Sequence, residues 1–145
     1  LYSGEMVVFQ RGDTGMAVRA SSAVPSVFLP VRINNRDYVD GGLVAPVPVR
    51  YAREMGAEVV LAVDISTTPE GSQAESMLQI LLQTFNIMGK SIKTLELKEA
   101  QVVVRPNLTG VSSADFNARL RAIESGRAAM LAALPALKAA LAVTR

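Results

Sequence analysis

Tyr38-Val39-Asp40-Gly41-Gly42-Leu43 sets a lone carboxylate at the end of an apolar run and follows it at once with two glycines. A strand ending there carries Asp40 at its tip, where a sharp turn exposes the side chain. Glycine tolerates φ > 0 and lets other groups approach the backbone closely, so Gly41 and Gly42 are expected to shape that turn. Asp-Gly is also a strong plain turn signal, so on these six residues alone a simple turn and a displayed functional carboxylate both stand. Just upstream, Val31-Arg32-Ile33, the pair Asn34-Asn35 and Asp37-Tyr38-Val39 predict a hairpin that delivers Asp40.

Outward from this hairpin the pattern alternates strands with helices. Glu5 to Gln10, with Met6-Val7-Val8-Phe9 at its heart, reads as a short strand. Thr14 is placed to cap a helix running to about Ala23, which Pro25 ends. Pro48 suits the first turn of a helix that continues to Gly56, a good C-cap. Val59 to Ile65 is almost wholly apolar, the signature of a strand buried on both faces in a parallel sheet. This order predicts an α/β layered fold.

Farther along, Ser72 with Glu75 and Ser112 with Asp115 have capping-box spacing. Ala74, Met77, Leu78, Leu81, Leu82, Phe85 and Met88 form the clearest helical period of the chain, with a kink expected at Gly89. Gln101 to Arg105 reads as a strand closed by Pro106. A helix towards Gly126 and an alanine- and leucine-rich helix interrupted near Pro135 complete the pattern. With no internal repeat and no linker, the chain reads as one domain.

Composition removes several chemistries. Half of the 145 residues are apolar and 19% are charged, which fits a globular chain rather than a disordered one. A formal net charge of +2 is too small to argue for nucleic acid. There are no cysteines, hence no disulfide framework and no thiolate metal site. There are no histidines, so these residues hold no Ser-His-Asp or Cys-His machinery and few means of binding a transition metal. No metal and no cofactor is expected. A Ser-Asp dyad passes this test because it needs no imidazole. No stretch approaches ~20 uninterrupted apolar residues, which argues against a membrane-spanning helix.

Several segments fall in register. Gly12-Asp13 precedes Ala17-Val18-Arg19-Ala20-Ser21-Ser22-Ala23-Val24-Pro25-Ser26-Val27-Phe28-Leu29-Pro30-Val31. After Val39-Asp40-Gly41-Gly42 come Pro46-Val47, the Ala52–Ala57 segment and Val59-Val60-Leu61-Ala62-Val63-Asp64. In order and spacing this resembles the second half of the bacterial patatin-like phospholipase domain, and the resemblance extends to Val102–Leu108 and Asp115–Gly126. It implies a three-layer α/β/α acyl-hydrolase fold, present here in part. Residues 1–145 are then the C-terminal portion of one catalytic domain.

The resemblance implies hydrolysis of phospholipid or other lipid esters through an acyl-serine intermediate, with Asp40 as the serine's partner. Serine is a poor nucleophile until a base accepts its proton, and partial burial strengthens a carboxylate for that task. The family's nucleophile sits in a G-x-S-x-G elbow, and these residues contain none. Ser21, Ser22 and Ser26 lack flanking glycines, and the glycine-rich oxyanion segment is absent as well. The expected partners are therefore a lipid ester, a membrane surface, and a missing N-terminal half or another chain that brings the serine. The bacterial cytoplasm or a membrane-associated location fits that reading. The alternative from another class is a non-catalytic domain of the same fold that binds lipid or a protein partner. Ala45 stands before Pro46 where many relatives carry asparagine. Asp64 follows an apolar strand as a dinucleotide-binding acid does, but no G-x-G-x-x-G precedes it, so loop bonding is the expected role. The Met77–Met88 stripe suits an acyl-chain wall or, more simply, core packing, and Arg19, Arg32, Arg36 and Arg50 suit phosphate groups or open surface equally.

Overall fold

The computed structural model describes residues 1–66, 76–111 and 116–144. The chain falls into two compact units, Leu1–Pro46 with Gln73–Thr94, and Val47–Ser72 with Leu95–Arg145. The architecture is α/β. The predicted capping boxes at Ser72/Glu75 and Ser112/Asp115 lie outside the described residues.

In the first unit, helix α1 spans Thr14–Ser21. Its cap is Asp13 rather than Thr14: the Met16 N–H donates to Asp13 Oδ1 at 2.8 Å, because the residue just outside the helix reaches the orphan amides of the first turn. Strands β1 (Val31–Ile33) and β2 (Arg36–Tyr38) form the predicted hairpin, with Val31 opposite Tyr38 and Ile33 opposite Arg36. Asn34 and Asn35 turn it at φ +46° and +61°. A two-residue turn with both φ values positive matches the strand twist, and asparagine bears that conformation better than most residues. Buried Ala20, Ala23 and Val31, backed by Ile33 and Tyr38, seal α1 to the hairpin.

The strand expected over Glu5–Gln10 is not formed. The segment runs irregularly along the hairpin instead. The Phe9 ring packs on Tyr38 with centroids 5.3 Å apart, so side chains rather than a ladder hold it.

Helix α3 spans Met77–Glu96 and passes Gly89 within one continuous helix. Its stripe is not the sealed core face expected. Leu82 and Phe85 are half-buried, while Met77 and Met88 stay exposed.

In the second unit, helix α2 (Val49–Glu54) starts after Pro48 and stops at Gly56, whose φ of +93° ends it as its sequence position predicts. Arg53 ties off that end by donating to the carbonyls of Ala57 at 3.1 Å, Glu58 at 2.6 Å and Glu99 at 3.2 Å. Strand β3 (Leu61–Val63) pairs in parallel with β4 (Val102–Val104), Leu61 beside Val102 and Val63 beside Val104. Parallel pairing is as expected, but burial on both faces is not: Val63 is 48% exposed. Val49, Val60, Ala62 and Leu97 form the core beneath.

Helix α4 runs unbroken from Arg119 to Val143 through Pro135, where an interruption was expected. A proline removes one helical hydrogen bond, and the alanines and leucines on both sides carry the helix past it. Although no uninterrupted apolar run signals it, α4 is long and apolar enough by length and composition to cross a bilayer.

Glu96 is the pin of the second unit. Its side chain is 7% exposed, and its Oε2 accepts the Arg50 N–H at 2.8 Å, at the start of α2. A carboxylate on the first amides of a helix satisfies an orphan donor and opposes the positive end of the dipole. The Arg50 guanidinium lies 3.6 Å from Oε1 and stacks over Tyr51 at 4.8 Å, which assigns Arg50 to structure rather than to phosphate binding. Replacing Glu96 with alanine is expected to lower stability by about 1–2 kcal/mol, the scale of a lost cap and its hydrogen bond. Urea denaturation measures this, and a shift below about 0.3 kcal/mol would contradict the role given to Glu96.

Candidate functional site

β2 ends at Tyr38, and Asp40 follows at the mouth of a single 3-10 turn, Gly41–Leu43. Two backbone ties fix the place of the turn. The Asp40 N–H donates to the Ala23 carbonyl at 3.0 Å, joining the hairpin tip to the end of α1, and the Val44 and Ala45 N–H groups donate to the Gly41 carbonyl at 3.1 and 2.9 Å. Ala45 itself is buried. The missing asparagine amide therefore leaves the turn closed by backbone bonds.

The Asp40 side chain is half-buried. Its Oδ1 accepts the Gly42 N–H at 2.7 Å. Among the described residues no hydrogen bond engages Oδ2. One oxygen is thus anchored and the other is available to accept a proton, the division of labour a carboxylate base needs.

The two glycines serve the turn differently from expectation. Neither adopts positive φ. Their use is space. A Cβ on Gly42 would sit 2.9 Å from Asp40 Oδ1, whereas one on Gly41 would meet Met6 Cε at 3.7 Å and Ser21 Oγ at 3.8 Å, ordinary contacts. Gly42 is the position that the anchored carboxylate requires to be bare.

Asp40 lines a cavity of about 410 Å³ whose wall includes Met6, Phe9, Ser21, Tyr38 and Leu43. Polar Ser3, Glu5, Asn35, Arg36 and Asp37 share the wall with the apolar side chains, so the cavity is mixed in character. The structure brings Met6 and Ser21 to the turn, and sequence reasoning missed both. Met6 was read as the middle of a strand, and Ser21 was considered only as an elbow serine. Ser22 ends α1, and Ser26 holds φ +69° in an exposed loop. Arg36 is the one lysine or arginine side chain in this wall.

Asp64 follows β3 in the second unit and has the loop-bonding role expected of it. It is buried; its Oδ1 accepts the Ser66 N–H at 3.2 Å and the Ser66 hydroxyl, and its Oδ2 faces Arg105 Nε at 3.3 Å. No group of metal-ligating side chains occurs among the described residues.

Comparison with known proteins finds relatives of this sequence. The sequence profile of the Patatin-like phospholipase family matches residues 10–53, the segment that contains α1, the hairpin and the Asp40 turn. An NTE family protein of Mycobacterium tuberculosis (strain ATCC 25618 / H37Rv) is 30% identical over 95 residues, covering 66% of this chain and 26% of that protein. A second NTE family protein of the same strain is 24% identical over 161 residues, covering 94% and 28%. Patatin-like phospholipase domain-containing protein 7 of Mus musculus is 31% identical over 104 residues, covering 66% of this chain and 8% of its own length. The chain spans about a quarter of the length of the mycobacterial relatives it matches. With a profile match that includes the Asp40 turn and relatives aligned across most of its length, this chain belongs to the patatin-like phospholipase family.

Proposed function

We propose that this chain supplies the aspartate of a Ser-Asp dyad in a lipid acyl hydrolase, with Asp40 as the base and the serine carried by a G-x-S-x-G segment elsewhere in the complete protein. The observation that carries the reading is the Asp40 carboxylate: Oδ1 held by the Gly42 N–H, Oδ2 without a hydrogen bond among the described residues, and a half-apolar cavity beside it. In this reading one carboxylate serves both halves of the reaction. Oδ2 takes the serine proton as the hydroxyl oxygen attacks the ester carbonyl. The alcohol then leaves with a proton, an acyl-serine remains, and water activated by the same carboxylate releases the acid. The anchored oxygen keeps the carboxylate from rotating away, which is positioning rather than chemistry.

The exposed apolar side chains of Val63 and Ile65 beside a sheet of only two strands support further segments completing a larger, layered α/β/α sheet. The rival reading, a binding domain of the same fold without catalysis, draws on the absence of G-x-S-x-G in these residues. The upstream sequence of the same polypeptide separates the two.

Three outcomes are expected. In the complete polypeptide, Asp40→Asn lowers kcat for a lipid ester by roughly 10²-fold or more, the scale of a lost general base. The thermal melt stays within about 1 kcal/mol of the parent in stability. Retention of more than half the turnover would show that Asp40 is not the base. Gly42→Ala keeps the carboxylate but forces it off its anchor, so kcat falls by about tenfold or more, a loss from positioning alone. Unchanged kcat in that variant means the anchor is dispensable. The 145-residue chain by itself neither turns over p-nitrophenyl butyrate nor reacts with a fluorophosphonate. Labelling of Ser21, Ser22 or Ser26 with turnover above buffer would place the nucleophile inside this chain instead.

A further inference from the structure

Gly89 stands inside α3, where the sequence predicts a kink and the helix continues without one. Glycine in a helix interior is less favourable than alanine, so bare backbone at this point serves something other than the helix. Leu82, Phe85, Gly89 and Ile92 recur at spacings of three, four and three, and all four are half-buried. A Cβ built on Gly89 would stand 3.1 Å from Pro46 Cγ, inside the ~3.5–4.0 Å at which carbon atoms attract. Both residues belong to the first unit. The Pro46 ring therefore rests directly on the α3 backbone, and glycine is what lets it come that close. Gly126 in α4 is different: a Cβ there meets nothing within 4 Å.

Pro46 follows the turn that carries the carboxylate. The Val44 and Ala45 N–H groups close that turn on the Gly41 carbonyl, and the Gly42 N–H holds Asp40 Oδ1. A proline ring fixes its own φ, so a push on the ring passes to Ala45 instead of being absorbed by rotation. Ala45 is 3% exposed, and a close-packed residue has little room to take up a shift. The other end of the turn is held as well, by the Asp40 N–H on the Ala23 carbonyl at the end of α1. The turn is thus clamped between two helices, α1 through a hydrogen bond and α3 through a van der Waals contact.

We propose that Gly89 is a positioning residue for Asp40: its bare backbone seats Pro46, and Pro46 sets the height of the Gly41–Ala45 turn beneath the carboxylate. This role rests on the reading of Asp40 as the base. It extends the site to α3, a helix that contributes no side chain to the cavity wall.

The test is Gly89→Ala in the complete polypeptide. The added methyl makes Pro46 give way by a few tenths of an ångström. Turnover of a lipid ester then falls about fivefold in kcat with KM within about twofold, since a misplacement of about 1 Å costs on the order of 10²-fold and a displaced base acts on the chemical step. Pro46→Ala removes the ring atom in the way. In a double-mutant cycle, Gly89→Ala/Pro46→Ala therefore matches the Pro46→Ala single variant within about twofold in kcat. Gly126→Ala, the same exchange in open space, leaves kcat as in the parent and so removes helix propensity as the cause. A second readout needs no catalysis. Exchange of the Gly42 amide proton, followed by NMR on protein labelled with 15N-glycine, is faster in Gly89→Ala and returns towards the parent rate in the double variant. If Asp40→Asn keeps its turnover, the base reading fails, and the exchange result alone decides whether Gly89 places the turn. Unchanged Gly42 exchange in Gly89→Ala overturns the proposal, because α3 then yields in place of the turn. So does unchanged kcat in Gly89→Ala when Asp40→Asn is inactive. A loss that Pro46→Ala does not relieve, or a Gly89→Ala protein that does not fold, overturns it too and ties Gly89 to the assembly of α3 alone.

Discussion

The hydrogen bond from the Asp40 N–H to the Ala23 carbonyl, 3.0 Å long, decides where the site is. A hairpin of two three-residue strands is too short to be stable alone. Tied to the end of α1, and sealed by Ala20, Ala23 and Val31, its tip becomes a fixed point. Everything at the site is measured from that point: the 3-10 turn, the Gly42 amide on Oδ1, and Met6 and Ser21 against Gly41. The energetic content is modest bond by bond, about 1 kcal/mol each. The consequence is a carboxylate held in one place.

The second unit solves a different problem with the same means. Two short parallel strands leave helix ends and a sheet edge to be satisfied. Glu96 caps α2, Arg53 closes its far end on three carbonyls, and Gln101 extends the β3–β4 ladder by accepting the Val60 N–H at 2.7 Å on its side chain. Each is a polar side chain standing in for a backbone partner that short elements cannot supply.

The hairpin was legible because Asn34-Asn35 is one of few pairs that accept two positive φ values, and apolar runs flank it. The turn after Asp40 was legible from its glycines, though for a partly wrong reason. They provide room for Oδ1, not left-handed backbone, and sequence does not record which close approach a glycine serves. Glu5–Gln10 looked like a strand because its residues favour one. A strand also needs a ladder partner, and here Phe9 finds only a ring to pack on. Val59–Ile65 shrank to three residues for the same reason: only Val102–Val104 are available to pair. Pro135 failed to break α4 because its neighbours favour helix strongly enough to absorb one lost bond. Long-range placements such as Met6 and Ser21 beside Gly41 leave no local trace in the sequence.

The central claim is that Asp40 Oδ2 faces a serine nucleophile. The most direct measurement is a crystal structure of the complete polypeptide after reaction with a fluorophosphonate. The account predicts a phosphonylated serine within a G-x-S-x-G turn, its Oγ within about 2.6–3.2 Å of Asp40 Oδ2, with Oδ1 still on the Gly42 amide. A labelled serine that lies out of hydrogen-bond reach of Asp40, or that is served by a different base, would contradict it.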